Sequence, residues 1–478
     1  MSDYVPTIGL EIHAELKTAT KMFCRSKNDA DETRPNVNIC PVCMAHPGTL
    51  PVINRDAVKH VLRVGLALKA QLADYTEFDR KNYFYPDLPK GYQLSQFEYP
   101  LVSAGELNGV QVTRIHLEED TASSIHTEGE GTAIDYNRAG VPLMELVTEP
   151  VITSAKQAGD FARELQILLR TLGASEANME KGEMRVEANI SVGTQGKLGT
   201  KVEIKNLNSF RAMERAVEYE IKRQTQLLER GEKIVQETRG WDEGKQSTFP
   251  QRIKEGSADY RYFPDPDLPS LKLSELPECN PEMLSKDMPE LPWERRERYI
   301  GLGVKPQDAA AFVQEPSIGN FFEEVISGWR GEQQRVVAAS NYIANDLVKI
   351  IRDTEKRDTK DSPEIAISAR NFSKIIELVS NGKISSRGAK DLLEQCFADP
   401  TLDPEEFAQK GGLFQNTSDD SLRKAVDEVL AANPTVVSDF NAGKQAALEY
   451  LLGQSMKALK GAGNPAALRT ILKQKLQG

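Results

Sequence analysis

Four short segments of this 478-residue chain alternate apolar with ionisable residues, and that alternation limits how they can fold. The first runs Thr7-Ile8-Gly9-Leu10-Glu11-Ile12-His13-Ala14-Glu15-Leu16, and the others span 114–120, 185–192 and 201–206. A strand turns successive side chains to opposite faces. Ile8, Leu10, Ile12 and Leu16 then share one face, and Glu11, His13 and Glu15 share the other. In 185–192, Arg185, Glu187, Asn189 and Ser191 oppose Val186, Ala188, Ile190 and Val192. Lys201, Glu203 and Lys205 oppose Val202 and Ile204 in the same way. A half-exposed sheet usually presents Thr, Ser, Lys and Gln to water. Carboxylates, Asn, His and Arg recurring on four strands suit divalent cations and phosphates better.

The totals exclude several classes. A net charge of −11, from 60 Lys plus Arg against 71 Asp plus Glu, argues against nonspecific coating of nucleic acid but leaves room for a local basic stripe. No stretch approaches the roughly 18–20 consecutive apolar residues of a membrane span. The start, MSDYVPTIGLEIH, lacks a basic n-region and apolar h-region, and five cysteines fit a reducing compartment. The expectation is a soluble, cytoplasmic, multidomain protein.

Residues 1 to about 270 mix strand-like alternation with amphipathic helices, which favours α+β over a regular βαβ succession. Asn54, Ser154 and Ser209 are expected helix N-caps, with stops at Gly173 and Gly231 for the second and third helices. Residues 193–199 read as a hairpin loop between two of the polar strands. Proline density rises from Pro264 to Pro292, and beyond it the strand signal nearly vanishes. The expected organisation is a mixed domain over 1–292, an all-α middle domain over 293–403 and a small all-α tail over 404–478. The tail turns basic: 401–440 hold eight acids against three bases, and 441–478 hold Glu449 against Lys444, Lys457, Lys460, Arg469, Lys473 and Lys475. Those bases suit an RNA backbone, and a solvated helix face explains them equally well.

Each motif has a chemical reading and a plainer one. Glu11 and His13, at i,i+2 on a strand, can converge on one ion, although a structural His needs no ion. Alternation in 114–120 groups Arg114, His116 and Glu118, and turns Glu119 inward unless the strand bulges; either glutamate is a candidate ligand. Arg185, Glu187 and Asn189, beside Lys201, Glu203 and Lys205, fit a metal–nucleotide site or simple cross-strand salt bridges. Residues 78–92 interleave aromatics, bases and turn formers, making Lys81 and Tyr83 candidates for phosphate and base contacts. A shorter echo lies at 259–269. Cys24, Cys40 and Cys43, with His46 as a fourth donor, form a possible zinc set that lacks a second thiol beside Cys24. No P-loop, dinucleotide glycine fingerprint or nucleophile elbow is present.

These segments resemble one family. IGLEIHAELKT (8–18), NICPVCMAHPGTLPVIN (38–54), FDRKNYFYPDLPKGYQLSQ (78–96) and HLEED (116–120) are similar to the B subunits of tRNA-dependent amidotransferases. So are DYNRAGVPLMELVTEP (135–150), EIKNLNSF (203–210), QETRGWDE (236–243) and DYRYFPDPDLP (259–269). The resemblance implies a glutamine-synthetase-like catalytic domain with a mostly antiparallel sheet, followed by helical middle and tail domains. It implies a three-subunit enzyme with an amidase A subunit and a small C subunit. The B subunit would use ATP and Mg²⁺ to phosphorylate the side-chain carboxylate of Glu-tRNA(Gln) or Asp-tRNA(Asn), and ammonia would displace the phosphate. By resemblance the metal role falls on Glu11, His13, Glu203 and one of Glu118 or Glu119, with the second of that pair favoured. Arg185 and Lys205 become phosphate contacts and Asn189 their polar partner. Ser26 stands where zinc-bearing members carry a second cysteine. The tail's bases would meet tRNA.

Overall fold

The computed structural model describes residues 4–127, 131–252, 260–329, 331–355, 365–415, 419–459 and 463–477. Two compact units divide at Pro292 and Trp293.

The first unit is built on one large sheet. Its strands are β1 (Tyr4–Glu15), β2 (Gln71–Leu72), β6 (Val102–Ser103), β7 (Glu106–Leu107), β8 (Val110–Glu119), β11 (Pro142–Thr148), β12 (Met184–Thr194), β13 (Val202–Leu207), β14 (Thr238–Asp242) and β15 (Ser247–Arg252). Between them in the chain lie β3 (Tyr75–Thr76), β4 (Asp79–Asn82), β5 (Tyr92–Ser95) and a separate hairpin of β9 (Ser123–Thr127) and β10 (Gly131–Asp135). The sheet order is β15-β14-β13-β12-β1-β11-β8-β6-β2, with β7 on β8. Only the β13–β14 pair among these is parallel. This is the mixed α+β architecture that alternation and interspersed helices predict, with the mostly antiparallel sheet that the resemblance implies.

The alternation sorts the faces as expected. Ile8, Leu10 and Ile12 pack with Leu146, Met144, Val186, Ala188 and Ile190 in a fully buried layer. Against that side lie the helices α1 (Arg55–Ala67) at the β8 and β6 end and α3 (Phe210–Glu229) at the β12 and β13 end, with α2 (Ala155–Thr171) beside α3. Their caps follow the sequence. Asn54 accepts from Asp56 N and Ala57 N, Ser154 from Gln157 N, and Ser209 from Ala212 N. Gly173 and Gly231 leave α2 and α3 at positive φ, where a side chain would be strained.

One departure from regular pairing matters for the site. Val186 pairs with Leu207 and Ala188 with Ile204, so Lys205 and Asn206 together oppose Glu187. Asn206 takes φ 62°, which its short amide tolerates, and a β-bulge results. The extra residue returns Leu207 to the buried face while Glu203 and Lys205 stay on the polar one.

The second unit is all helical among its described residues. Helices α4 (Ala369–Ser380), α5 (Ser386–Ala398) and α6 (Pro404–Lys410) pack together, and Gln415 N donates to Lys383 O. The 404–415 segment therefore packs on helices that precede it. A separate small core of Leu422, Val426, Leu448, Leu451, Leu468 and Leu472 joins α7 (Asp419–Ala432), α8 (Ala446–Ala458) and α9 (Pro465–Gln477). In that core's shell, Lys444 pairs with Asp439, Arg469 with Glu449 and Lys475 with Asp427, whereas Lys457 and Lys473 are exposed. Lys460 lies outside the described residues. No helix among those described is long and apolar enough to cross a membrane.

Candidate active site

Register builds the site row by row across the polar face. One row reads Arg185, His13, Glu145, His116 on β12, β1, β11 and β8, each directly opposite the next. A second places Glu187 opposite Glu11. On the outer pair, Asn189 faces Glu203. Directly opposed side chains lie about 5 Å apart at Cβ, so carboxylates on neighbouring strands are forced together.

Their oxygen and nitrogen atoms converge in three overlapping groups: Glu11, His13 and Glu145; His116, Glu118 and Glu145; and Glu11, Glu187 and Glu203. Within each, the ligand atoms lie within 4.8 Å of one another. Glu145 belongs to two groups and Glu11 to two, so the face is one continuous cluster. His13 Nε2 is 3.3 Å from Glu145 Oε2, and His116 Nε2 is 3.5 Å from the same oxygen. Ser95 Oγ and Gln93 Nε2 donate to Glu118 at 2.7 and 2.8 Å, and Thr238 Oγ1 donates to Glu203 at 2.7 Å.

The electrostatics differ from one carboxylate to the next. Burial pushes the Glu11 carboxyl upward, and the charges of Glu145 and Glu187 add to it. Burial opposes the charge on His13, but the facing Glu145 outweighs it and holds the imidazole at about 9. Burial likewise works against Glu145, yet His116 and His13 keep it well below the usual carboxylate range. Lys81 Nζ stands 3.6 Å from Glu118 Oε1, Arg114 reaches Glu145 at 3.5 Å, and Lys205 Nζ lies 2.9 Å from Glu187 Oε1. Among the described residues, Asn189 Oδ1 is a buried acceptor with no donor. Five carboxylates from five strands, with an orphaned amide oxygen at their edge, fit hard divalent cations.

Comparison with known proteins decides the family. The family model described as "GatB/GatE catalytic domain" matches residues 6–276, and that described as "GatB domain" matches 320–476. The chain belongs to the GatB family. It is 43% identical to the B subunit of the aspartyl/glutamyl-tRNA(Asn/Gln) amidotransferase of Thermus thermophilus and 44% identical to that of Thermomicrobium roseum, over 99% of each chain. The protein of the same name from Thermoanaerobacter pseudethanolicus is 41% identical over 99% of each.

In this GatB-family chain the two glutamates of HLEED part company. Alternation places Glu118 in the cluster, whereas Glu119 points to the other side, bonded to Lys90 and to Leu94 N at 2.9 Å. The ladder runs unbroken through Leu143 opposite Glu118 and Pro142 opposite Glu119, so no bulge turns Glu119 back. The geometry therefore favours Glu118 over Glu119, against the preference drawn from resemblance. Arg185 lies at the cluster's edge, with NH2 3.0 Å from Asp120 Oδ2; Arg138 Nε lies 3.6 Å from the same oxygen. Tyr83 donates its hydroxyl to Gln93 Oε1 at 3.1 Å, a residue that itself holds Glu118.

The main residue that sequence reading missed is Glu145. It is the sole carboxylate in the strand Pro142–Thr148, where Leu143 and Val147 share its face and hide the alternation. A lone acid inside an apolar strand was the available signal.

The two aromatic-basic loops are neighbours. Phe263 and Pro264, forming β16, pair with Arg80 and Asp79 of β4, and Arg80 Nε donates to the fully buried Asp265 at 2.6 Å. Asp259, which opens the echo, lies outside the described residues.

The sulfur atoms of Cys24, Cys40 and Cys43 also converge, and Cys24 and Cys43 line a cavity of about 210 Å³ together with His46, Lys90 and Glu119. Cys40 N donates to Cys43 Sγ at 3.1 Å. The fully buried Lys21 brings Nζ to 3.9 Å from that sulfur, and Ser26 Oγ lies 3.8 Å away. Three soft donors are in place for zinc, but a hydroxyl and an ammonium occupy the surroundings where a fourth thiolate would complete a structural site.

Proposed function

We propose that this chain is the B subunit of a glutamine-dependent amidotransferase, converting Glu-tRNA(Gln) or Asp-tRNA(Asn) to the amidated form by ATP-dependent activation of the side-chain carboxylate. The observation that carries the reading is the continuous cluster of Glu11, His13, Glu118, Glu145, Glu187 and Glu203, ringed by Lys81, Arg114 and Lys205. A carboxylate is a poor electrophile, and making its mixed anhydride with phosphate supplies a leaving group. That chemistry asks the protein for charge stabilisation and positioning more than for a covalent nucleophile.

The three overlapping groups would hold Mg²⁺, whose charge would offset that of the phosphoryl oxygens. The protein's own cations do the rest. Lys81 and Lys205 stand at opposite sides of the cluster, where each can turn from its carboxylate to a phosphate oxygen. Ser95 and Gln93 fix the Glu118 carboxylate, and Thr238 fixes Glu203, so both enter the site already oriented. Arg185 and Asn189 are assigned to substrate positioning at the edge. Ammonia then attacks the activated carbon, and phosphate leaves. Zinc has no part in these steps.

We assign the first unit to the glutamine-synthetase-like class and the helical remainder to middle and tail domains, the tail binding tRNA through exposed bases such as Lys457 and Lys473. An amidase A subunit supplying ammonia and a small C subunit are the implied partners, in the cytoplasm. The test is ATP- and glutamine-dependent amidation of each misacylated tRNA by the chain co-expressed with its amidase partner. Formation of Gln-tRNA or Asn-tRNA that needs ATP and a divalent cation is expected. Amidation that proceeds without ATP would overturn the reading.

A further inference from the structure

From the metal-binding face a row of aromatic rings leads outward to solvent. Lys81, whose Nζ stands 3.6 Å from Glu118, lies 5.3 Å from the centre of the Tyr260 ring. Tyr260 meets Tyr83 with centroids 5.8 Å apart, and Tyr83 meets Tyr85 at 6.2 Å. Tyr262 continues the group, 6.1 Å from Tyr260 and stacked on Phe97 at 4.2 Å. The inner rings are anchored: Tyr83 by Gln93, and the Tyr260 backbone by Asn82 Nδ2, which donates to its carbonyl.

The outer end is different. Phe84 is 82% exposed and Tyr85 59% exposed, the former among the most exposed large apolar side chains described. Exposing a phenyl ring forgoes the stabilisation that burial would bring, on the order of 2 kcal/mol or more for Phe. A Cβ at Gly91, which sits at φ 72°, would come 3.2 Å from the edge of the Phe84 ring, so the glycine leaves that ring room beside the backbone. Exposed rings where this row of aromatics reaches solvent offer a presentation surface.

We propose that Phe84 and Tyr85 form a stacking platform for the unpaired terminal adenosine of the tRNA substrate. The inference rests on the function proposed above and adds which part of the substrate this loop holds. Unstacked bases at nucleic-acid ends are commonly bound on aromatic faces next to cations. An aminoacyl group hangs from the terminal ribose, so its base must lie within an amino acid's reach of the reacting carboxylate. The line Glu118, Lys81, Tyr260, Tyr83, Tyr85 runs from the cluster toward the exposed rings in steps of 3.6, 5.3, 5.8 and 6.2 Å, a continuous path along which the end of the substrate can lie. The adenine of ATP, by contrast, belongs in a concave pocket that buries most of the ligand, which these two exposed rings do not provide.

The test uses the assembled enzyme with Phe84→Leu and Tyr85→Leu, singly and together; Leu at 84 retains an apolar contact with Gly91 but removes the π face. Steady-state amidation is followed while misacylated tRNA and ATP are varied separately, with a thermal melt of each variant. The double variant should raise KM for the tRNA roughly tenfold, leave KM for ATP unchanged and melt with the parent. The second arm uses misacylated tRNA whose terminal nucleotide lacks its base. That tRNA should be a poorer substrate for the parent enzyme yet no poorer than normal tRNA for the double variant. A rise in KM for ATP alone would assign the platform to the cofactor and overturn the proposal. Unchanged constants, or equal losses from the missing base in parent and variant, would overturn it too. If the parent enzyme shows no ATP-dependent amidation, the underlying function fails instead, a result distinct from all of these.

Discussion

His13 and Glu145 stand directly opposite each other on adjacent antiparallel strands, with His13 Nε2 3.3 Å from Glu145 Oε2. Glu145 also meets His116 and Arg114. It thus joins the two halves of the polar face and is the residue on which divalent binding should depend most.

Glu145→Gln keeps the shape and removes the charge. Outer-shell partners of metal ligands typically cost about 10–100-fold in affinity when changed, so a shared direct ligand should cost at least about tenfold. Calorimetric titration with Mn²⁺, alongside the amidation assay, should show both binding and activity falling together. Full Mn²⁺ affinity in the variant would remove Glu145 from the site.

Glu118 and Glu119 offer an internal control because they are adjacent in sequence and on opposite faces. Glu118→Gln should weaken Mn²⁺ binding several-fold. Glu119→Gln should leave it unchanged, since its carboxylate bonds to Lys90 and Leu94 N instead. Equal effects of the two substitutions on metal affinity would contradict the unbroken ladder.

The contrast explains what could be read from the sequence. Strict period-two alternation reports the face of a strand correctly, so Glu11, His13, Glu118, Arg185 and Glu203 were legible as one surface. Glu145 was not, because its strand carries no other ionisable residue and is otherwise apolar on both sides from Pro142 to Val147. Its partners sit on other strands, and register across the sheet brings them together. The bulge at Asn206 was also hidden: its cause is a positive φ, and Asn adopts that conformation only in particular surroundings. The pairing of the two aromatic loops came through as an echo of composition, but their adjacency depends on β4 and β16 forming a ladder. Helix caps were fully local, which is why Asn54, Ser154 and Ser209 could be named in advance.

Arg80 holds those loops through a carboxylate that has no exposure of its own. Its guanidinium bonds to Asp265 at 2.6 Å and Asp267 at 3.1 Å and lies 4.4 Å from the Tyr92 ring centre. Arg80→Ala leaves Asp265 buried and unpaired, a change that typically costs about 3–5 kcal/mol. Urea unfolding should show a loss toward the lower end, because Asp267 N still donates to Asp265 at 2.8 Å. Adding Asp265→Asn should restore part of the loss. A single variant as stable as the parent would show that the pair is dispensable.

Glu15 should make stability depend on pH in a definite direction. Burial, reinforced by the neighbouring Asp120, raises its carboxyl to about 8, against an ordinary value of 4.5. Asp120 takes the opposite course: against burial, Arg185 and Arg138 keep it charged. Between about 4.5 and 8 the folded chain keeps a proton on this pair that the unfolded chain has released. Stability from this source is therefore complete below the lower value and declines as pH rises through the upper one. Glu15→Gln removes the titrating group while keeping a neutral side chain of the same size. In chelator, the stability of the variant relative to the parent should rise steadily from pH 5 to pH 8.5, as read by urea midpoints. Parallel curves across that range would mean that Glu15 titrates as an ordinary carboxyl, and a variant that loses ground with increasing pH would reverse the assignment of the shared proton.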